Sequence, residues 1–331
     1  MHNSPSNRRS FTGFLTAPVD HTPARPIALA HLGVIAVRGV EARKFLNGQL
    51  SQDVLGLPAD RVELAGLHNP QGRMVALLRL VPLGANDLLC ILPRTVLTDT
   101  LATLRKFLLR TKATLTDESA SWIIEGLADD AILPAAVGSA RIDGTEISWR
   151  HAVDGRVMRL RPASSEIDAS GINTTDASDH SSAQEKAIAD WQFADIAAGL
   201  PEITDSTRGE FVAQMLNLDV LGGISFTKGC YTGQEVIARA HYRGRVKRRA
   251  QRFRITAMQH VSPLQPGQKV KLIDGGSART AQILNVAQGS QGIECLAVTG
   301  FGSATSESVD SPNDIPTLTA VALPMSYALP E

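Results

Sequence analysis

Runs of apolar residues in the first third of the chain predict strands. Leu32–Val37 is apolar and rich in β-branched residues, a composition typical of a strand. Met74–Leu83 and Leu88–Leu92 are apolar in the same way and predict buried strands, with the turn residues Gly84–Asp87 between them. These three strands are the first elements that the sequence predicts.

Helical spacing of apolar residues predicts three helices. A short one at Val40–Leu46 is expected to end at Asn47-Gly48, since this pair is a usual helix stop signal. Leucines at helical spacing predict an amphipathic helix over 98–110. Lys186–Ala198 reads as a helix that Gly199 ends in the left-handed conformation.

The rest of the chain favours short strands. After the first domain, strands are expected at Trp122–Glu125, Glu146–Arg150 and Val157–Arg161. Beyond Ala250, short apolar segments alternate with turns, and Asp274-Gly275-Gly276 is typical of a hairpin. Five such strands in a short stretch suggest a small antiparallel barrel. They are Gln251–Thr256, Lys269–Asp274, Thr280–Val286, Glu294–Thr299 and Thr317–Leu323.

Changes in composition divide the chain into four regions. Residues 162–183 hold six serines and no Lys or Arg, which is typical of a flexible insert. Residues 303–316 form another loop rich in Ser, Asp and Pro. The predicted regions are a flexible arm at 1–26, an α+β domain at 27–115, a second α+β domain at 116–248 that contains the insert, and a β-barrel at 249–331.

Composition disfavours several classes of protein. The net charge is zero, so no overall attraction to nucleic acid or membrane is expected. The cysteines Cys90, Cys230 and Cys295 are too few and too scattered for a disulfide framework. No apolar stretch is long enough to span a membrane. We therefore expect a cytoplasmic protein in a reducing compartment.

Positive charge is nevertheless concentrated in one segment. Residues 236–273 contain ten Lys or Arg and no Asp or Glu. A solvated, β-rich surface explains such a run. An anion site for a glutamate tail, a phosphate or RNA is the alternative interpretation.

The segment Lys228–Glu235, with the sequence KGCYTGQE, carries the strongest chemical signal. Thr232 followed by Glu235 fits a capping box, which predicts a helix that starts just after Thr232. Cys230 would then lie near the positive end of that helix and two residues from Lys228. Both features favour the thiolate over the thiol, so Cys230 is a candidate reactive residue.

Glycines in this segment leave room around the sulfur. Gly229 and Gly233 have no side chains, so another molecule could approach the backbone closely. The competing interpretation is that Cys230 is a small buried residue, the ordinary state of a free cysteine. We expect that state for Cys90 and Cys295, which lie inside apolar strands.

The sequence lacks the motifs of several common functions. It has no C-x-x-C pair and no Cys/His cluster, so the monomer is not expected to hold a metal or a stable iron–sulfur cluster. It has no dinucleotide-binding or Walker glycine motif and no G-x-S-x-G elbow. Nucleotide binding and hydrolysis are therefore not indicated.

The segment at 228–235 resembles the signature of the YgfZ family of folate-binding proteins, whose mitochondrial relatives serve iron–sulfur cluster assembly. Other stretches resemble the family too, and together they cover about residues 28–325. These stretches are Phe45–Gln49, Asn69–Arg73, Asp195–Pro201, Gln214–Asp219, Gly222–Phe226, Ala238–Ala240, Tyr242–Gly244 and Lys247-Arg248.

The resemblance implies the α+β fold of the T-protein of glycine cleavage, a folate-dependent aminomethyltransferase. In that fold, two intertwined α+β domains surround a central opening and a C-terminal antiparallel β-barrel follows. Tetrahydrofolate or a derivative would bind in the opening. Trp191 matches an aromatic position of the family's folate site, although its helical spacing alone favours a core residue. At another position where the family has an aromatic residue, this chain has Leu32.

The same resemblance argues against the T-protein reaction. That enzyme carries an acidic pair, and the matching positions here are Ala76 and Leu77. Without a carboxylate there, aminomethyl transfer lacks its expected proton-handling group. An enzymatic activity of this kind is therefore not expected.

We expect an accessory protein that binds tetrahydrofolate and supports the assembly or repair of iron–sulfur clusters in client enzymes, including radical enzymes that modify tRNA. Cys230 would be the reactive group and Lys228 would tune its thiol. We expect Trp191, Tyr231, Gln234 and Arg239 to contribute to cofactor binding, and Gly229, Thr232, Gly233 and Glu235 to have structural roles. The expected partners are folate and, transiently, client enzymes or cluster-assembly proteins, with no membrane.

Two alternatives stay open. A folate-dependent one-carbon transferase with an unknown acceptor is supported by the shared fold and opposed by the missing acidic pair. A tRNA-binding module that uses residues 236–273 ranks last, because the sequence shows no platform of stacked aromatic residues for RNA.

Overall fold

A computed structural model describes residues 25–127, 133–163, 177–244, 246–258, 263–289, 291–300 and 315–330, with only the backbone at 177–181. The predicted N-terminal arm and the loop at 303–316 lie almost entirely outside the described residues. In chain order the strands are β1 Ile27–Ala28, β2 Leu32–Arg38, β3 Glu63–His68, β4 Met74–Leu83, β5 Asp87–Pro93, β6 Thr114–Asp117, β7 Trp122–Leu127, β8 Ala140–Asp143, β9 Glu146–Arg150, β10 Val157–Pro162, β11 Arg248–Met258, β12 Lys269–Asp274, β13 Ser277–Gly289, β14 Gly292–Gly300 and β15 Thr317–Leu323. The helices are α1 Ala42–Gln49, α2 Arg94–Leu108, α3 Ala177–Ala197 and α4 Gln234–Tyr242.

The first sheet has the order β3-β4-β5-β2-β6 and is covered on both faces. In β2, Ile35 and Val37 pack into a core shared with α1 and α2. The alternate residues Val34 and Ala36 pack into a second core shared with the other sheet. Because side chains along a strand point alternately to opposite faces, burial of both faces requires the continuous apolar runs seen in the sequence.

The second sheet has the order β1-β7-β10-β9-β8. Its edge strand β1 precedes the whole first sheet in the chain and pairs antiparallel with β7, with Ile27 opposite Gly126. The two sheets are therefore intertwined, as the resemblance implied. The boundary predicted between residues 115 and 116 falls inside β6, which pairs with β2 of the first sheet.

The structure corrects the ends of two predicted helices. Helix α1 begins at Ala42 and continues through Asn47 and Gly48, so the predicted stop there is wrong. Gly48 does not adopt a positive φ, and the Asn47 carboxamide oxygen instead accepts a hydrogen bond from the Val54 N–H at 3.0 Å. Helix α3 begins at 177, so the last part of the predicted flexible insert is helical.

The C-terminal strands close into a barrel in the order β11-β14-β13-β12-β15. The predicted five-stranded barrel is therefore confirmed, and the bounds of β12 and β15 are those predicted. Gly275 and Gly276 connect β12 to β13 with φ angles of 56° and 84°. Positive φ at both central residues is the requirement of a type I′ hairpin turn.

A third apolar core joins the barrel to the first domain. It combines Met74 and Leu77 of β4 with Phe193 of α3 and with Leu284 and Leu296 of the barrel. The segment between α3 and α4 lies among these elements and carries several of the motifs found in the sequence. No helix in the described ranges is both long and apolar enough to cross a membrane.

Candidate functional site

The Lys228–Glu235 segment is anchored to the first domain through the Lys228 side chain. Its ammonium group donates hydrogen bonds to the carbonyl of Asn47 and, at 2.7 Å, to that of Leu50. These carbonyls lie at the C-terminal end of α1, where a positive charge is stabilised by the helix dipole. The ammonium also lies 4.8 Å from the centre of the Tyr231 ring.

A contact between two glycines holds the segment against the turn at Asn69–Arg73. Gly233 has a φ of +81°, and a Cβ added there would lie 2.6 Å from the Asn69 carbonyl oxygen and 2.9 Å from the Gly72 Cα. Gly72 has a φ of +71°, and its Cβ would lie 2.8 Å from the Val236 Cβ. Only glycine fits at either position without movement of the backbone.

The start of α4 differs from the predicted capping box. The helix begins at Gln234 with Gly233 as its N-cap residue, and no side chain caps it. The carboxamide oxygen of Gln234 accepts the Tyr231 N–H at 3.1 Å. Glu235 is exposed and pairs with Arg239 at 3.2 Å. The prediction that Thr232 and Glu235 cap the helix is wrong, because Gly233 occupies the position that Thr232 was expected to fill.

The Cys230 thiol is exposed, whereas Cys90 and Cys295 are fully buried. Burial raises the pKa of both buried thiols to about 12, so neither ionises near neutral pH. Burial also lowers the pKa of Lys228 to about 8, although the charges of Asp53 and Cys230 oppose that shift. The motif therefore presents one accessible sulfur close to an amine that titrates near neutral pH.

A cavity of about 220 Å³ lies between the two sheets. One wall comes from β3 and β4 of the first sheet and the other from β9 and the segment before β8. Two motif stretches that precede Cys230 close it, through Leu200-Pro201 and Leu221-Gly222. Its polar lining comprises Arg61, Glu63, Arg79, Arg150 and His151.

A buried group of charges fixes the orientation of His151 at the cavity wall. The His151 Nε2 lies 2.9 Å from the Asp195 carboxylate, which also forms an ion pair with Arg156 at 2.7 Å. Burial opposes ionisation of Asp195, yet the charges of His151 and Arg156 hold the pKa of its carboxyl below the usual range. The Trp191 ring stacks on the His151 ring with 5.3 Å between ring centres.

Arg79 lies in the cavity without a direct hydrogen bond or ion pair among the described residues, although its charge acts against burial to lower the pKa of the nearby carboxyls of Asp195 and Glu202. The Arg79 side chain projects from β4, and the residue is only 7% exposed. By contrast, the Arg150 guanidinium donates to the carbonyls of Leu133 and Gly155. A buried cation is costly unless an anion or acceptors neutralise it, so Arg79 is a candidate ligand-binding residue.

The predicted cofactor-binding residues do not line this cavity. Trp191 is 3% exposed and touches it only through His151. Tyr231 and Gln234 belong to the Cys230 turn, and Arg239 lies on the solvent face of α4. Their roles in cofactor binding stay predictions.

Sequence reasoning missed Arg79 and His151. Arg79 did carry a signal, because it is the one charged residue within the otherwise apolar strand Met74–Leu83. His151 follows β9 directly, and nothing in its local sequence distinguishes it from an exposed loop residue.

Comparison with known proteins identifies the family of the chain. No family model matches it. A tRNA-modifying protein YgfZ from Serratia proteamaculans is 32% identical over 236 residues, which cover 69% of this chain and 70% of that protein. The YgfZ protein of Sodalis glossinidius is 31% identical over 258 residues, which cover 73% and 75%. The chain belongs to the YgfZ family. The resemblance stated from the motifs is thereby confirmed.

The fold of this YgfZ-family chain is that of the T-protein. The glycine cleavage aminomethyltransferase T of Bartonella henselae superposes with a TM-score of 0.61 at 13% identity, covering 85% of this chain and 80% of that one. The predicted T-protein-like fold is confirmed. Ala76 and Leu77, where the resemblance led us to look for an acidic pair, are buried apolar residues of β4. Within the described ranges, no group of three or more His, Cys, Asp or Glu residues could hold a metal ion.

Proposed function

We propose that this YgfZ-family protein binds tetrahydrofolate in the cavity between its two sheets. We propose further that it uses the Cys230 thiol to support the assembly or repair of iron–sulfur clusters in client enzymes, among them enzymes that modify tRNA. The names of its relatives support the link to tRNA modification. The observation that carries folate binding is the buried Arg79 guanidinium, which lines the cavity and has no direct hydrogen bond or ion pair among the described residues.

The chemistry of folate suits this cavity. A guanidinium offers a planar fork of donors that matches a carboxylate or paired ring acceptors. Folate carries both, in its glutamate tail and its pterin ring. The volume of about 220 Å³ is below the roughly 300–1,000 Å³ usual for pockets that enclose a whole ligand. We therefore propose that the cavity holds one end of folate and that the rest extends outward.

His151 would provide a positioned ring at the same wall. Its orientation is held on one side by Trp191 and at Nε2 by Asp195. An imidazole held in this way can donate or accept at a fixed point and pack against a flat ligand. In this proposal Trp191 acts by positioning His151 rather than by touching the ligand.

Cys230 would act outside the folate cavity, since it is exposed and does not line it. A single thiol supplies only one of the four ligands that an iron–sulfur cluster usually takes. The remaining ligands of a cluster in transit would therefore come from the client or donor protein. Lys228 stabilises the turn that presents the sulfur and places a positive charge beside it.

The test of folate binding is titration of the purified protein with tetrahydrofolate, followed by calorimetry. Arg79→Met should weaken affinity by roughly 10–100-fold, the usual loss for a charge-assisted hydrogen-bonding pair. Arg79→Lys keeps the positive charge but loses the planar fork of donors, so its folate affinity should lie between those of the wild type and Arg79→Met. Cys230→Ser is the matched control and should bind folate like the wild type. Equal affinity of Arg79→Met and wild type would remove the support for this site.

The test of the accessory role is complementation. Deletion of the gene in its host should lower the activity of an iron–sulfur enzyme that modifies tRNA. Wild type should restore that activity, whereas Cys230→Ser should fold, bind folate and fail to restore it. Full restoration by Cys230→Ser would refute the role of the thiol.

A further inference from the structure

Three aromatic rings form a cluster beside the Cys230 segment, in which Phe226 is half-buried and the other two rings are exposed. Phe226 stacks on His241 with 3.7 Å between ring centres and 15° between ring planes. Tyr242 meets the edges of both, at 6.2 Å from Phe226 and 4.7 Å from His241. Tyr242 is 67% exposed, and His241 is exposed as well. An exposed group of rings is unusual on a protein surface and indicates a binding site.

Exposed cations follow this cluster directly along the chain. Arg243, Lys247 and Arg248 are all exposed. The sequence from 236 to 273 contains no acidic residue that could neutralise them. The acid nearest along α4, Glu235, pairs with Arg239 one turn away. The surface therefore combines two exposed aromatic rings with cations that form no ion pair among the described residues.

This combination is the one that proteins use to bind single-stranded nucleic acid. Bases stack on aromatic side chains while Lys and Arg meet the phosphates. The cluster cannot be recognised in the sequence, because Phe226 comes from the loop before the Cys230 turn and the other two rings come from the end of α4. The stacked aromatic residues that the sequence does not reveal are therefore present in the structure.

We propose that Phe226, His241 and Tyr242, together with Arg243, Lys247 and Arg248, form a binding surface for single-stranded RNA. An unpaired base stacks on the rings and the flanking phosphates contact the cations. The surface is separate from the folate cavity, since none of these residues lines it. The inference therefore goes beyond the proposed function and does not depend on folate.

Fluorescence anisotropy with a labelled, short single-stranded oligoribonucleotide tests this surface across about 50–200 mM salt. Three phosphate contacts predict a slope of log affinity against log salt of about −2, at roughly 0.7 for each contact. Tyr242→Ala should weaken binding roughly tenfold with the slope unchanged, because it removes stacking. Tyr242→Phe should bind like wild type. Arg243→Ala should reduce the slope by about 0.7.

Arg110→Ala is the matched control for charge, since Arg110 is an exposed arginine on the first domain. It should leave both affinity and slope unchanged. Absence of RNA binding by the wild type would overturn the proposal, as would equal binding of a double-stranded RNA of the same length. Loss of a client-enzyme complex in Tyr242→Ala with unchanged RNA binding would also overturn it and indicate a protein-docking surface. Tetrahydrofolate affinity, measured on the same variants, should not change.

Discussion

Substitution of Gly233 tests whether the contact between the Cys230 segment and the first domain is as close as the structure shows. Gly233→Ala would place a Cβ 2.6 Å from the Asn69 carbonyl oxygen at a φ of +81°. A side chain in the left-handed region costs about 1–2 kcal/mol. Relief of the backbone overlap adds a similar amount, so we expect a loss of about 2–4 kcal/mol in the free energy of unfolding.

Gly229→Ala is the matched control in the same segment. A Cβ at Gly229 meets nothing within 4 Å, and its φ lies outside the left-handed region. We expect its stability to stay within about 0.5 kcal/mol of wild type. Comparison of Gly233→Ala with Gly229→Ala distinguishes a steric clash at one glycine from a general sensitivity of the motif to substitution.

Thermal unfolding followed by circular dichroism provides the measurement. A loss of about 3 kcal/mol should lower Tm by roughly 4–5 °C in a protein of this size. Gly233→Ala should show this decrease and Gly229→Ala should not. Equal Tm values for the two variants would refute the inferred close packing of Gly233 on the turn at Asn69–Arg73.

Two further predictions concern thiols and acid stability. A thiol reagent should modify Cys230 alone in the native protein, and Cys90 and Cys295 only after denaturation, because both are buried; native reaction of two or three thiols would contradict this. Burial lowers the pKa of His31 and His68 from 6.5 to about 4, so the unfolded chain binds protons between these values that the folded chain does not. The stability that these two histidines contribute should therefore be fully present above pH 6.5 and be lost toward pH 4, by up to about 3 kcal/mol for each group. Urea denaturation across this range should show a shallower decline for His68→Asn, and an identical decline would exclude that histidine as a cause.

The strands that the sequence failed to predict lie at sheet edges. β3 and β6 are the two edges of the first sheet, and β1 and β8 are the two edges of the second. Edge strands such as β6 and β8 are short and largely polar. Their extended conformation comes from hydrogen bonds to a neighbour that is distant in sequence, which a local pattern cannot reveal.

The helix errors have a similar origin. Asn47-Gly48 is a common stop signal, yet the Asn47 side chain is occupied by the Val54 N–H and Gly48 stays helical. Gly233 takes the N-cap position of α4 because it must pass close to Gly72. At Asn47 a contact seven residues further along the chain overrides the local propensity, and at Gly233 a long-range contact does so.

The sequence by itself determined the central strands, the amphipathic helices and the barrel, because hydrophobic periodicity and turn residues are local properties. It also determined the family, through the motif around Cys230. Only the tertiary structure decided which residues the side chains of those motifs contact. It placed Arg79 in the cavity without a direct hydrogen bond or ion pair within the described part of the chain, stacked Trp191 on His151, and brought Phe226 to the end of α4. These arrangements depend on packing between residues far apart in the chain, and no local pattern encodes which distant surfaces will come into contact.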